Sequence, residues 1–288
     1  MTASQTSSAG ELCGFVDLNF ARRLEMAETM SPVHVRALQR YWPDATSEVI
    51  AGGTAVFGGQ NYPANHIVGM GLYGAVTLAD VEQVEEFYNS RRVPCEIVVS
   101  PLADPSLRDL LAPRGYRITE FNSVLIRRLE GCKSIPPADA ITIERVTSDT
   151  EQLWDRTIAR GFAEYGPLPD NLFAAFSTLP DSLNFLARVN GEPAGGGMGA
   201  IMREAGIAAL FGTATVPEFR GRGVQTALIN RRLWDAAQQG CEYAVVSTMP
   251  GSGSQRNMER RGFRVAYTKI VMVRSWPDLA VKEQEDGH

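Results

Sequence analysis

Between an apolar run, Ile207 to Val216, and a helical pattern, Thr226 to Gln239, the chain reads Phe219-Arg220-Gly221-Arg222-Gly223-Val224-Gln225. A basic, glycine-bearing turn at a strand-to-helix junction holds the parts of an anion seat. Glycine lets the backbone approach an anion and take positive φ. The first amides of a helix have no intrahelical partner and lie at the positive end of its dipole, where phosphate binds. Arg220 and Arg222 add cations that pair with phosphate oxygens. Gln225 and Thr226 add side-chain donors. The competing reading is a surface turn with two solvated arginines. The helix after the turn favours the seat: Ile229, Leu233, Ala236 and Ala237 share one face, and Gly240 stands where a C′ residue belongs.

The elements around the turn read as an α+β sheet. In the second half a strand is expected at about Ile141 to Val146, with helical segments near Thr150 to Phe162 and Asp170 to Thr178. Asn184 to Val189 and Pro193 to Met202 flank Asn190-Gly191, a strong two-residue hairpin signal. Tyr243 to Ser247 reads as a strand, Gln255 to Arg261 as a short helix and Val265 to Arg274 as a closing strand. The first half offers a long helical region, Asp17 to Tyr41, strands around Gly52-Gly53 and Gly58-Gly59, and a helix from Leu78 to Ser90. Gly195-Gly196-Gly197-Met198-Gly199 leads into more strand rather than a helix, so it is no dinucleotide turn and reads as close backbone approach.

The chain also repeats itself. Cys95-Glu96 and the strand to Ser100 match Cys241-Glu242 and the strand to Ser247. Arg114-Gly115-Tyr116-Arg117 and Arg261-Gly262-Phe263-Arg264 lie 147 residues apart, as do Arg127 and Arg274. Three matches in order point to a duplicated unit. The expected division is 1–130, a linker at 131–140 containing Gly131, Pro136 and Pro137, and 141–288. The first copy has Gly69-Met70-Gly71-Leu72-Tyr73-Gly74 before its helix and no arginine there, so its anion seat is erased.

Composition limits the function. With 288 residues, 44% hydrophobic and 21% charged, the chain holds enough for two cores. A net charge of -5 argues against general nucleic-acid binding. The four cysteines (13, 95, 132, 241) and three histidines (34, 66, 288) show no zinc or disulfide spacing. No apolar run reaches membrane-spanning length and the first fourteen residues lack the features of a signal peptide, so a cytoplasmic protein without a membrane partner is expected. Monomer and homodimer stay open.

Val216-Pro217-Glu218-Phe219-Arg220-Gly221-Arg222-Gly223, followed by a helix, a strand and Arg261-Gly262-Phe263, resembles the GCN5-related N-acetyltransferases over residues 141 to 275. The resemblance implies two tandem domains of that fold, the first degenerate. It implies acetyl-CoA as cofactor, with its pyrophosphate on the turn formed by Arg220, Gly221, Arg222, Gly223, Val224, Gln225 and Thr226. Ala214, Thr215 and Val216 would pair with the pantetheine arm like an added strand, Tyr243 to Ser247 would splay to admit it, and Asn257 would reach the cofactor. An amide near Thr215 or Val216 would polarise the thioester carbonyl.

Two positions depart from the family pattern. Gln225 stands where glycine or alanine is usual, and Met258 where a tyrosine often serves as general acid. The strand before the turn holds no carboxylate or histidine. The remaining candidates for proton transfer are Glu164 and Tyr165, in a loop that faces the acceptor in this family; a solvated glutamate is the competing reading. Phe162, Phe173 and Phe176 either wall an acceptor pocket or belong to the core. The implied activity is N-acetyl transfer to a small or amino-acid-like amine. The alternative is a catalytically silent acyl-CoA sensor or scaffold.

Overall fold

The computed structural model describes residues 16–166, 168–177 and 179–276, except for the side chain of Tyr165. The N-terminal half comprises α1 (Leu18–Glu28), α2 (Pro32–Leu38), β1 (Thr46–Ile50), β2 (Gly53–Phe57), β3 (His66–Val68), α3 (Leu78–Asn89), β4 (Cys95–Val99), α4 (Pro105–Leu111) and β5 (Arg117–Arg128). The C-terminal half comprises β6 (Ile141–Arg145), α5 (Glu151–Phe162), β7 (Phe185–Val189), β8 (Glu192–Met202), β9 (Ile207–Thr215), α6 (Val224–Gln238), β10 (Tyr243–Thr248), α7 (Gly253–Arg260) and β11 (Arg264–Arg274). The strands form one mixed sheet in the order β1-β2-β3-β4-β11-β5-β10-β9-β8-β7-β6.

The long N-terminal helical region is in fact two helices. Asp17 caps α1 through the Phe20 amide at 2.8 Å, and the chain turns extended at Thr29. Pro32 opens α2, the position where its missing N–H matters least. Of the helix expected at 170–178, the described residues 170–177 are largely irregular. Buried Asp155 accepts the Phe173 and Ala174 amides at 2.9 Å each, leaving only a short 3-10 turn at Ala174–Phe176. The Asn190-Gly191 hairpin forms as expected, with both residues at positive φ (50° and 86°).

Strand alternation separates two faces. Ala208, Leu210, Ala244 and Val246 pack with α6 and α7, while Ile207, Ala209, Tyr243 and Val245 pack with α1. In the N-terminal half, α3 and α4 cover Ile67, Ile97 and Met272. Each half contains one parallel crossover, β3-α3-β4 and β9-α6-β10. Helix α5 lies close to the glycines of β8: a Cβ on Gly196 would meet Ile158 Cγ1 at 2.6 Å and Trp154 Nε1 at 2.8 Å.

The matched blocks of the sequence fall on equivalent elements, but the closing strands are interleaved. β5 pairs with β10 of the other half, β11 with β4, and β5 and β11 pair antiparallel between them. Their register is unchanged when the halves are exchanged. Lys269 and Asn122, 147 positions apart, face each other, and Tyr267↔Val124 maps onto Val271↔Glu120. An approximate two-fold axis therefore passes through the Lys269–Asn122 pair.

Candidate active site

The turn before α6 has the backbone that its glycines allow, with Gly221 at φ 76° and Gly223 at φ 88°. Gly223 is the N-cap residue of α6; no side chain caps the helix and its first turn holds no acid. The leading amides of a fifteen-residue helix thus face a cavity of about 600 Å³. Ala214, Thr215, Arg220, Gly221, Gly223, Val224, Gln225, Thr226 and Asn257 line it. Gln225, the departure from the family pattern, accepts a hydrogen bond from Asn257 Nδ2 at 2.7 Å, which ties the turn to α7. Ser254, Arg260 and Arg261 also line the cavity. The sequence pattern did not single out Ser254 or Arg260, and it named Arg261 only as part of the repeat and the family motif, because only the folding of α7 against the turn brings them there.

Two expected contacts lie elsewhere. The Val216 side chain is buried and its amide donates to Ala194 O at 2.9 Å, so it is not free for a ligand. Arg222 stacks on Phe219 with its Cζ 5.4 Å from the ring centroid, outside the cavity lining. Glu164 is held on the seat side: Arg220 Nη1 and Nη2 both donate to its carboxylate at 3.0 Å. Tyr165 has its side chain outside the described residues. Met258 is buried in the core beneath α6.

The strand leading to the turn opens as a cofactor arm would require. The β9–β10 ladder pairs only Ile207–Ala209 with Tyr243–Val245, and beyond these residues the strands part. On the other edge the β8–β9 register breaks between Gly196 and Met198. At this break Gly212 has φ 51°, and a Cβ there would meet Met198 Sδ at 2.7 Å, so only glycine fits. The Oγ1 of Thr215 is buried without a partner among the described residues.

A second cavity, about 450 Å³, lies on the face covered by α1 and α2. It runs under eight neighbouring strands, from Thr54 on β2 to Met198 on β8, and reaches Phe211 and Gly212. Thr213, next in the chain, lines the first cavity. Consecutive residues at the break in β9 thus line one cavity and then the other. Val56, Val68, Val98, Val245 and Val271 make much of the wall; Phe173 and Phe176 close one end, whereas Phe162 lines the turn-side cavity. At the middle sits a buried ionic cluster. Lys269 Nζ pairs with Glu25 Oε2 at 3.2 Å and with Glu28 Oε2, Tyr267 donates to Glu25 at 2.7 Å, and Ser247 Oγ donates to Glu28 Oε1. Burial pulls the Lys269 ammonium down, but Glu28 and Glu25 outweigh it and hold it above its ordinary value. Burial and the neighbouring Glu28 push the Glu25 carboxyl up against the pull of Lys269. Burial, helped by Lys269, drops His66 to about 4.

The model of the acetyltransferase (GNAT) family matches residues 150–263. This segment contains the turn, α6, the parted strands and the Gly262-Phe263 end. Residues 150–263 are a GNAT domain. Solved structures share the architecture of most of the chain. A GCN5-related N-acetyltransferase from Kribbella flavida covers 90% of this chain and 97% of its own (17% identity, TM-score 0.61). A tandem GNAT protein from the clavulanic acid biosynthesis pathway covers 89% and 93% (13%, 0.56). A conserved protein of unknown function from Staphylococcus epidermidis covers 87% and 99% (12%, 0.56). At these identities the likeness is one of fold. No curated protein matches. GNAT proteins are generally acyltransferases. Among the described residues no helix is long and apolar enough to cross a membrane, and no cluster of histidine, cysteine and acidic side chains could hold a metal ion.

Proposed function

We propose that the chain is an N-acetyltransferase that moves the acetyl group of acetyl-CoA to the amine of a small molecule. The observation that carries this reading is the uncapped N-terminus of α6, open to a cavity edged by Arg220, Arg260 and Arg261. The residues present fit the donor substrate. Free amides and arginines suit a pyrophosphate. The parted edge of β9 and the orphaned Thr215 hydroxyl offer hydrogen bonds to the amides of a pantetheine arm. The amides at Gly212 and Thr213, where the β8 ladder breaks, suit a thioester oxygen; the Val216 amide is already committed to Ala194.

The N-terminal half reads as a copy that lost its own seat. Its equivalent helix, α3, is closed by a capping box: Asp80 accepts from the Thr77 amide at 2.8 Å and returns its own amide to Thr77 Oγ1 at 3.3 Å. A carboxylate occupies the place where α6 leaves room for phosphate.

Acetyl-CoA with a panel of primary amines, monitored by thiol release, tests the proposal. Binding is read separately: acetyl-CoA at about 100 times its Kd raises stability by about 2.7 kcal/mol. Binding with thiol release supports the transferase. Binding without release for any amine favours the sensor reading, for which the burial of Met258 speaks, since no tyrosine stands there to protonate the leaving thiolate. No stabilisation removes both readings.

A further inference from the structure

We propose that Glu28, contributed by the N-terminal half, is the general base of the transfer, and that the cavity beneath α1 receives the acceptor as a primary ammonium ion on a slender apolar body. The inference rests on the transferase reading above.

Position selects Glu28. Ser247 on β10 and Phe211 on β9, each two residues past the last paired residues Val245 and Ala209, line the same cavity where the two strands part. Ser247 Oγ donates to Glu28 Oε1. The carboxylate is therefore anchored on the β10 side of the cavity whose β9 side ends at the break at Gly212. Glu28, Phe211 and Gly212 line the same cavity. A molecule against Glu28 lies in the cavity that reaches the break in β9.

The other candidates fail on geometry or chemistry. Arg220 holds Glu164 on the far side of β9. His66 stands on β3, five strands from β9, and at about 4 it is a poor base at neutral pH. His34 Nδ1 lies 2.7 Å from the Ser31 hydroxyl and accepts the Ser31 amide at 3.2 Å, and burial lowers its basicity. Glu96 and Glu120 lie on β4 and β5, four and two strands from β9. β9 itself holds no acid or base.

Charge and shape select the acceptor. One lysine faces two carboxylates, Glu25 and Glu28, so the fully ionised cluster retains one negative charge. That surplus favours an arriving cation. The valines that line the cavity favour an apolar body. The groups that face Glu28 are Lys269 and Tyr267 on β11, Glu25 on α1 and His66 on β3. The acceptor ammonium gives one proton to Glu28. The freed amine attacks the thioester carbonyl carbon, a C–N bond forms, the C–S bond breaks and sulfur leaves with the electron pair. The second N–H proton neutralises the thiolate. Glu28 then releases its proton to solvent, so the products are an amide, free thiol and one proton.

The test compares the wild-type protein with Glu28→Gln and Glu28→Asp in three measurements: acetyl-CoA affinity, affinity for the best amine by calorimetry, and the pH profile of kcat/KM. Glu28→Gln is expected to keep its acetyl-CoA affinity, bind the amine about tenfold more weakly, lose about 100-fold or more in kcat and lose the acid limb of the profile. Glu28→Asp keeps that limb at reduced kcat, and its melting curve separates a chemical loss from a folding loss. An active wild type whose folded Gln variant retains kcat within about threefold and the same acid limb overturns the assignment while leaving the transferase standing. A wild type that binds acetyl-CoA and acetylates no amine overturns both.

Discussion

Arg232 shows how much of the break between β8 and β9 depends on one buried side chain. It lies on α6, fully buried, and its Nη1 donates to Met198 O at 2.5 Å and Phe211 O at 3.4 Å, two carbonyls beside the break between β8 and β9. Burial pulls the guanidinium down to about 9, still charged at neutral pH. Its space comes from Gly197, where a Cβ would approach Arg232 Cζ to 3.0 Å. Arg232→Met should therefore destabilise the protein by about 1–3 kcal/mol in urea unfolding, since it removes the donor to the buried Met198 carbonyl. Gly197→Ala should cost about 1–3 kcal/mol by overpacking the same spot. Stability unchanged in both variants would mean that the guanidinium is not holding the break. The glycine run was legible as a place of close backbone approach, since it leads into strand. The arginine was not, because nothing local marks a charged residue on an amphipathic helix as facing inward.

At the scale of elements, α3 and α6 differ at a single decisive place, the third helical position. In α3 it is Asp80, which completes the capping box; in α6 it is Thr226, which lines the turn-side cavity. Thr226→Asp copies the N-terminal half onto the C-terminal one. An acid in the first turn stabilises a helix by about 0.3–1 kcal/mol, yet here it would face the phosphates of acetyl-CoA. The variant is thus expected to melt at the same temperature as the wild type or higher, and to bind acetyl-CoA at least about tenfold more weakly by calorimetry. A variant that binds as tightly as the wild type would remove α6 as the phosphate site. The strand–turn–helix at 207–238 was readable because its parts are consecutive in sequence and each carries its own signal. The helix expected at 170–178 was not, since within its described residues 170–177 Asp155, on another element, takes two of the amides. The break at Thr29 was also missed, although Pro32 marked it.

The cavity beneath α1 and α2 belongs to the whole molecule. Its walls come from both ends of the chain, and Glu28 meets Ser247 across 219 residues of sequence. The duplication could be read from sequence; the exchange of closing strands could not, since both pairings satisfy the same apolar alternation. The exchange predicts that the halves are not independent. Cleavage in the exposed linker at 131–140 should leave one species in size-exclusion chromatography and one unfolding transition, because β5 remains between β10 and β11. Two separable species would contradict the interleaved sheet. The end of β11 is further fixed by Glu85 of α3. Its carboxylate accepts from Arg114 Nε and Nη2 at 2.9 and 2.6 Å and from Arg274 Nη1 at 2.6 Å. Burial pushes this carboxyl up, but the two guanidiniums outweigh it and hold it below its ordinary value of 4.5. A lowered folded-state pKa means that the stabilisation is complete above 4.5 and fades as the pH falls through the lower folded value. Glu85→Gln should be less stable by about 1–3 kcal/mol at neutral pH, and the gap should close on acidification. Urea unfolding of both proteins across the acid range measures it. A gap that stays constant down to the pH of acid unfolding would show that Glu85 works through packing rather than as the charged clasp that holds β11 to the N-terminal half.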